Sequence, residues 1–272
     1  MKNAPLILLI ILILPLSSFS QIDSTDILAG KKMTMSSEVL NYNPEIYIGL
    51  PANFNDTTTY PVIVLLDAEW LFPAFSGITR LMGQMEEIPG CVVVGLPLND
   101  SFKDYGMEFA PKITGVPQSG HADKILEFFS QELFPFIESK YNGSKERIIW
   151  AHSAPGGLFC TYLLLGSDVQ FSGIISSSPN LRGNQEYINA ENAFEKLSQK
   201  DTMFYYLSFG TNENEMFMGK MYQQVQEFKA KLDKDAPENL KWIYRDNENS
   251  NHLTNALKSY IDGIKLYFEM ME

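Results

Sequence analysis

Short apolar runs and helical patterns take turns along most of the chain. Eight runs are short and rich in β-branched residues, which favours strands over helices. Their residues are 31–40, 45–50, 62–66, 91–96, 148–151, 171–175, 204–209 and 240–244. The first two alternate between apolar and polar positions around a turn at 41–44, which predicts an antiparallel pair. The other six are almost continuously apolar, as in parallel strands that are buried on both faces.

Helical periodicity occupies several of the segments between these runs. One apolar face recurs at helical spacing through Ala122, Ile125, Leu126, Phe129, Leu133, Phe136 and Ile137. Residues 218–232 and 253–270 have similar patterns, and residues 99–120 form a long polar loop of the kind that carries function. Strands alternating with helices predict an α/β fold with a mainly parallel sheet of about eight strands. Residues 21–272 show no repeat or linker, so we expect a single domain.

The first 20 residues differ from the rest of the chain. Lys2 gives a positive start, residues 6–16 form an apolar run, and small residues at 17–20 suit cleavage before Gln21. This is the pattern of a secretory signal peptide, whereas a membrane span needs about 20 apolar residues. We therefore expect a periplasmic or secreted bacterial protein of the Gram-negative type, with no membrane anchor after signal cleavage.

Composition and charge narrow the classes of partner. The formal net charge of −12 argues against nucleic acid and anionic membranes. A hydrophobic content of 45% allows a substantial core, and a charged content of 20% argues against a disordered or coiled-coil chain. Cys91 and Cys160 fall in a strand-like and a helix-like segment, so we expect two buried thiols rather than a disulfide. No Cys/His spacing indicates a metal site.

The strongest candidate for chemistry is Ser153, which lies between an apolar strand and a helix. The sequence Ala-His-Ser-Ala-Pro-Gly-Gly spans residues 151–157. A tight turn here would expose the hydroxyl and aim the N–H of Ala154 at a developing oxyanion. The usual pattern, Gly-x-Ser-x-Gly, is altered at Ala151 and at Pro155, which disfavours a helical Ala154. An extra residue after the nucleophile would explain the late glycine pair, and a helix N-cap is the alternative role for the serine.

Three histidines compete for the role of base. His252 follows the last predicted strand and opens the last predicted helix, far from Ser153 in sequence. His152 adjoins the nucleophile, so its side chain should point away from the hydroxyl, and His121 lies in a loop before a helix. The late position favours His252 over a surface helix cap, because one class of serine hydrolase has the chain order Ser, acid, His.

The acid is expected directly after the strand predicted at 204–209. Glu213 is the first choice and Glu215 the reserve. Either carboxylate would fix the tautomer of the imidazole and stabilise the imidazolium that forms during the reaction. Solvated loop residues are the alternative for both.

A second oxyanion donor is expected in the loop after the strand at 62–66. The N–H of Ala68 or Glu69 would supply it. Glu69, Trp70 and Phe72 would then line the substrate pocket, with ordinary core packing as the alternative for the aromatic residues.

With these pieces in place, the chain resembles the putative esterase family that includes enterochelin esterases and esterase D. The resemblance covers about residues 28–270 and rests on five stretches, 61–72, 120–138, 151–153, 206–213 and 251–263. Ala151-His-Ser153 corresponds to the family's Gly-His-Ser, and the last stretch contains His252. It implies the α/β-hydrolase fold and hydrolysis of carboxylic esters. The family often has an Arg in the loop after the fourth strand. Residues 99–104 hold none, which argues against a siderophore substrate.

We therefore expect an exported serine ester hydrolase that uses Ser153, His252 and Glu213 and passes through an acyl-enzyme. It would need no cofactor or metal, and its partner would be a small-molecule or saccharide ester. Two alternatives stay open: an acyltransferase with the same triad, and a catalytically silent binding protein on a hydrolase scaffold. The sequence does not indicate the oligomeric state.

Overall fold

The computed structural model describes residues 29–97, 109–113, 115, 119–166, 171–213 and 215–271, with the backbone alone at 215–219. The predicted signal peptide at 1–20 and most of the predicted loop at 99–120 lie outside these ranges. In the part of the chain that is described, none of the helices combines the length and the apolar character that a membrane crossing requires.

The described strands form one mixed sheet. In chain order they are β1 (Lys31–Thr34), β2 (Glu45–Gly49), β3 (Tyr60–Leu66), β4 (Val92–Leu96), β5 (Gly143–His152), β6 (Gly173–Ser177), β7 (Met203–Gly210) and β8 (Leu240–Asn247). Their order in the sheet is β1-β2-β4-β3-β5-β6-β7-β8. β2 is antiparallel to both its neighbours, and every pair from β4 to β8 is parallel. The predicted α/β fold with a mainly parallel sheet is confirmed.

The first strand is shorter than the sequence pattern predicts. The prediction extends to residue 40, but β1 ends at Thr34. The carboxylate of Glu132 accepts the backbone N–H groups of Glu38 at 2.9 Å and of Val39 at 3.1 Å. These two N–H groups are therefore bonded to a side chain and not to a neighbouring strand, although the alternating sequence pattern continues past Thr34.

The helices lie on both faces of the sheet. They are α1 (Ala68–Gln84), α2 (Ala122–Phe128), α3 (Phe134–Tyr141), α4 (Ser153–Leu165), α5 (Gln185–Ile188), α6 (Glu195–Ser198), α7 (Glu215–Asp235) and α8 (His252–Met271). The helix predicted at 122–137 is present, but one wide turn at Phe129–Leu133 joins α2 to α3. α7 and α8 contain the helices predicted at 218–232 and 253–270.

Helix α1 is absent from the sequence prediction, which took residues 67–72 as a loop. Its buried side chains recur every three or four residues at Ala68, Phe72, Phe75, Thr79 and Met82, so they form one apolar stripe. Pro73 lies inside the helix and obscures this stripe, because proline normally marks a helix boundary.

Two apolar layers cover the sheet. On the side of α1 and α8, the Phe75 ring lies 4.9 Å from that of Trp150 and 4.0 Å from that of Tyr260, centroid to centroid. Cys91 belongs to this layer and Cys160 to the opposite one. Both are buried free thiols, as expected from the sequence.

The parallel register brings three chain segments to one edge of the sheet. β5 ends at His152, which pairs with Ser177 at the end of β6, and Ser177 in turn pairs with Ser208 near the end of β7. The residues that follow these strands therefore meet at the carboxyl edge, which is where open α/β sheets bind ligands.

Candidate active site

Ser153 occupies a tight turn between β5 and α4. Its φ is 55°, in the left-handed region that costs a non-glycine residue about 1 kcal/mol or more. The next residue, Ala154, is extended, with φ −113° and ψ 143°. This extended conformation is the one expected for a residue before proline. The turn leaves Ser153 partly exposed at the carboxyl edge.

The glycine pair after the turn allows the helix to pass close to its neighbours. A Cβ on Gly156 would lie 2.7 Å from the Cβ of Ala151, and one on Gly157 would lie 2.5 Å from the Cβ of Pro179. The close approach between strand and helix thus falls three residues after the serine, one position later than in Gly-x-Ser-x-Gly. The geometry fits the interpretation of Ala154 as an extra residue.

Ser153, His252 and Glu213 form one continuous chain of hydrogen bonds. His252 Nε2 lies 3.0 Å from Ser153 Oγ, and His252 Nδ1 lies 2.7 Å from Glu213 Oε2. His252 is the first residue of α8, and Glu213 lies in the loop after β7. The structure thus brings together the three residues that the sequence selects as nucleophile, base and acid. The side chain of the reserve acid, Glu215, lies outside the described side chains.

The carboxylate of Glu213 is held in place from two sides. Its other oxygen, Oε1, accepts the N–H of Gly210 at 2.8 Å and the hydroxyl of Ser178. Burial by itself raises the pKa of Glu213, but the hydrogen bonds from His252, Ser178 and Gly210 outweigh it and hold the pKa below its usual value. The group is therefore a carboxylate at neutral pH, as an acid that orients a histidine must be.

A buried amide fixes the direction of these hydrogen bonds. Asn255 Nδ2 lies 2.7 Å from Ser178 Oγ, and its Oδ1 accepts from Asn247 Nδ2 at 2.6 Å. Because Asn255 donates to the Ser178 oxygen, the proton of that hydroxyl is directed at Glu213. Sequence reasoning missed both residues. The only signal was position, since Ser178 follows β6 and Asn255 lies one turn after His252.

The two expected oxyanion donors lie just beyond the same edge of the sheet. β3 pairs Leu65 with Trp150 of β5, so Ala68 and Ala154 lie three and four residues beyond one paired level. Ala68 is buried as the first residue of α1, where a helix N–H has no intrahelical acceptor.

The residue before Ala68 has an unusual environment. Asp67 adopts a left-handed conformation with φ 55°, and its Oδ2 has no hydrogen-bond partner among the described residues. Burial, and secondarily the charge of Glu69, raise the pKa of Asp67 to about 7. The carboxyl is thus much harder to ionise than an exposed one. The sequence pattern gave no reason to single it out.

The predicted pocket residues separate into two groups. Trp70 is 70% exposed on the first turn of α1, and Glu69 is partly exposed. Phe72, in contrast, is 5% exposed and packs edge-on against Tyr47 with 5.4 Å between ring centroids. The pocket prediction for Phe72 is therefore wrong, and the core-packing alternative holds, because helical spacing turns this residue towards the sheet.

Neither His152 nor His121 lies where it could act as the base for Ser153. His152 is buried, and its Nε2 lies 2.9 Å from the backbone carbonyl oxygen of His252. His121 is exposed in front of α2. Within the described ranges, no cluster of His, Cys, Asp or Glu is suited to hold a metal ion.

Comparisons with known proteins found one matching family and several similar chains. The family model described as Putative esterase matches residues 37–258. Ferri-bacillibactin esterase BesA of Bacillus subtilis is 31% identical over 172 residues, which cover 57% of this chain and 59% of that protein. The chain thus spans less than two thirds of the length of that curated relative.

Solved structures share the fold at lower identity. The BES protein from Bacillus cereus superposes with a TM-score of 0.76 at 22% identity, covering 91% of this chain and 98% of that one. An IroE-like serine hydrolase from Shewanella oneidensis has a TM-score of 0.75 at 23% identity, covering 88% and 80%. Siderophore hydrolase EstA from Aspergillus nidulans reaches 0.78 at 18% identity, covering 94% and 99%.

Proposed function

Because the chain belongs to the putative esterase family, we propose that it is an exported serine ester hydrolase acting through Ser153, His252 and Glu213. The observation that carries the proposal is the unbroken hydrogen-bonded chain from the serine hydroxyl through the imidazole to a buried carboxylate. The same chain of bonds disfavours a catalytically silent scaffold.

In the proposed reaction, Ser153 Oγ attacks the ester carbonyl while His252 Nε2 takes the hydroxyl proton. The carbonyl electrons move to the oxygen, where the N–H groups of Ala68 and Ala154 stabilise the negative charge. His252 then gives its proton to the departing alcohol, which leaves an acyl group on the serine. Water, deprotonated by the same imidazole, releases the acid and restores the hydroxyl. Glu213 remains a carboxylate throughout.

The substrate class is proposed from the relatives together with Trp70. The lack of an Arg at 99–104 argues against a siderophore substrate, but BesA is named for ferri-bacillibactin and EstA for siderophores. We give these relatives more weight and favour a siderophore ester over a saccharide ester. Trp70 is 70% exposed on the first turn of α1, two residues after the proposed oxyanion donor Ala68, and we propose that its ring offers the substrate a flat apolar surface. Such a surface suits an ester that carries an aromatic or apolar group.

The activity is tested with a fluorophosphonate probe and with p-nitrophenyl acetate. We expect the wild type to be labelled and active, and the Ser153→Ala and His252→Ala variants to be neither. Ser139→Ala and His121→Ala are matched controls, because both residues are exposed, on α3 and in front of α2, and neither belongs to the proposed triad. Absence of labelling in the wild type would refute the function, and full activity of Ser153→Ala would refute the nucleophile.

The substrate and the location are tested separately. We expect ferri-bacillibactin to be hydrolysed with a higher kcat/KM than acetylated xylan oligosaccharides, and the reverse order would favour a saccharide esterase. Export predicts a mature chain that starts at Gln21 in the periplasmic or culture fraction. Mass spectrometry of an uncleaved chain found only in the cytosol would contradict it.

A further inference from the structure

His152 is the one histidine near the site that the proposed reaction does not use. It ends β5, directly before Ser153, and only 8% of its surface is exposed. Its Nε2 lies 2.9 Å from the carbonyl oxygen of His252, and the two imidazole rings are 4.3 Å apart. The side chain therefore contacts the residue that carries the proposed base.

The partner atom determines which nitrogen carries the proton. A carbonyl oxygen can only accept, so His152 must donate from Nε2, and the ring is the neutral Nε2–H tautomer. Burial, and secondarily the neighbouring His252, lower the pKa of His152 to about 3. The ring thus stays neutral at any pH at which an esterase of this kind would work.

A second contact ties the same strand to the same helix. The indole N–H of Trp150 donates to Ser259 Oγ at 3.2 Å. Trp150 lies two residues before His152 on β5, and Ser259 lies two turns after His252 on α8. The rings of Trp150 and His152 are stacked, with centroids 6.2 Å apart and an interplanar angle of 7°. The strand that carries the nucleophile therefore holds the helix of the base at two points, and His152 supplies the one nearer the reaction.

We propose that His152 is a positioning residue whose Nε2–H, bonded to the carbonyl of His252, holds the base at hydrogen-bond distance from Ser153. The inference rests on the proposed function, because it assigns His252 as the base. The bond fixes the peptide plane at the start of α8, and with it the direction of the His252 side chain. A shift of about 1 Å in a reacting group is enough to cost about 100-fold in rate.

Three substitutions separate the hydrogen bond from the ring. His152→Gln places an amide N–H close to the position of Nε2, so the donor is kept and the ring is lost. His152→Asn offers the same amide one bond closer to the backbone, where it cannot reach the carbonyl. His152→Phe keeps an aromatic ring beside Trp150 and His252 but has no donor.

The test measures kcat and KM for p-nitrophenyl acetate and the rate of fluorophosphonate labelling. We expect His152→Phe and His152→Asn to lose about 10- to 100-fold in kcat with KM within about twofold, and His152→Gln to stay within about threefold of wild type. The reverse order, with an active Phe variant and an inactive Gln variant, would show that the ring acts by packing and would overturn the proposal.

A spectroscopic measurement keeps the inference independent of activity. In ¹⁵N-histidine spectra of the wild type, we expect His152 to show a slowly exchanging Nε2–H across the neutral range. An Nδ1–H tautomer would overturn the proposal even if the enzyme were active. If the wild type neither labels with the probe nor hydrolyses esters, the proposed function fails, while the tautomer still decides whether this bond exists.

Discussion

Replacing Glu213 by Gln tests whether the carboxylate sets the tautomer of the base. Oε1 of Glu213 faces two donors, the Gly210 N–H at 2.8 Å and the Ser178 hydroxyl, so the amide oxygen of Gln must occupy that position. The amide NH₂ then takes the place of Oε2, 2.7 Å from His252 Nδ1. Because it can only donate, it selects the Nε2–H tautomer, which cannot accept the proton of Ser153.

The expected cost follows from losing the competent tautomer. The corresponding Asp-to-Asn change in a Ser-His-Asp protease lowers kcat by about 10⁴-fold, or about 5 kcal/mol of transition-state stabilisation, and we expect a loss of that order here. The assay is the steady-state hydrolysis of p-nitrophenyl acetate, with thermal unfolding to confirm that the variant folds. Glu215→Gln is the matched control and should keep wild-type activity. A loss of less than tenfold in Glu213→Gln, or a larger loss in Glu215→Gln, would refute the assignment of the acid.

Three further predictions concern the surroundings of the site, and the first includes a comparison substitution elsewhere in the chain. Gly156→Ala should destabilise the fold by about 1–3 kcal/mol in chemical denaturation, because its Cβ would lie 2.7 Å from the Cβ of Ala151. Gly77 lies in a helix with open space around it, so Gly77→Ala should stabilise the fold by about 1 kcal/mol in the same assay. The pKa of Asp67 is raised from 3.8 to about 7 in the folded state, so its ionisation opposes folding increasingly above pH 4 and levels off above pH 7. Asp67→Asn should therefore raise the midpoint of thermal unfolding at pH 8 and leave it nearly unchanged at pH 4, and equal shifts at both values would contradict the buried acid. Trp70→Ala should raise KM several-fold for esters that carry an aromatic group and leave KM within twofold for acetate esters of small aliphatic alcohols.

Strands and the proposed triad could be predicted from sequence because each has a signal in its own segment. β3 and β4 are continuous apolar runs, and His252 stands where a last strand gives way to a last helix. The order of the β strands in the sheet, in contrast, depends on pairings between distant segments. No local pattern specifies it.

The misses have the same physical origin. Phe72 looked like a pocket residue because Pro73 concealed the helix that turns its ring into the core. Ser178 and Asn255 act through hydrogen bonds that span 35 and 77 residues of sequence, so neither has a motif. A side chain whose role is to orient another one becomes visible only when the contact itself is seen.

The placement of the base at the start of α8 has a consequence for synthesis. His252 comes 99 residues after Ser153 and 39 residues after Glu213. The ribosome therefore adds the proposed nucleophile and acid to the chain before it adds the proposed base. A nascent or C-terminally shortened chain holds a serine with no base to activate it. In the proposed mechanism, ester cleavage therefore requires the last helix to be packed on the sheet.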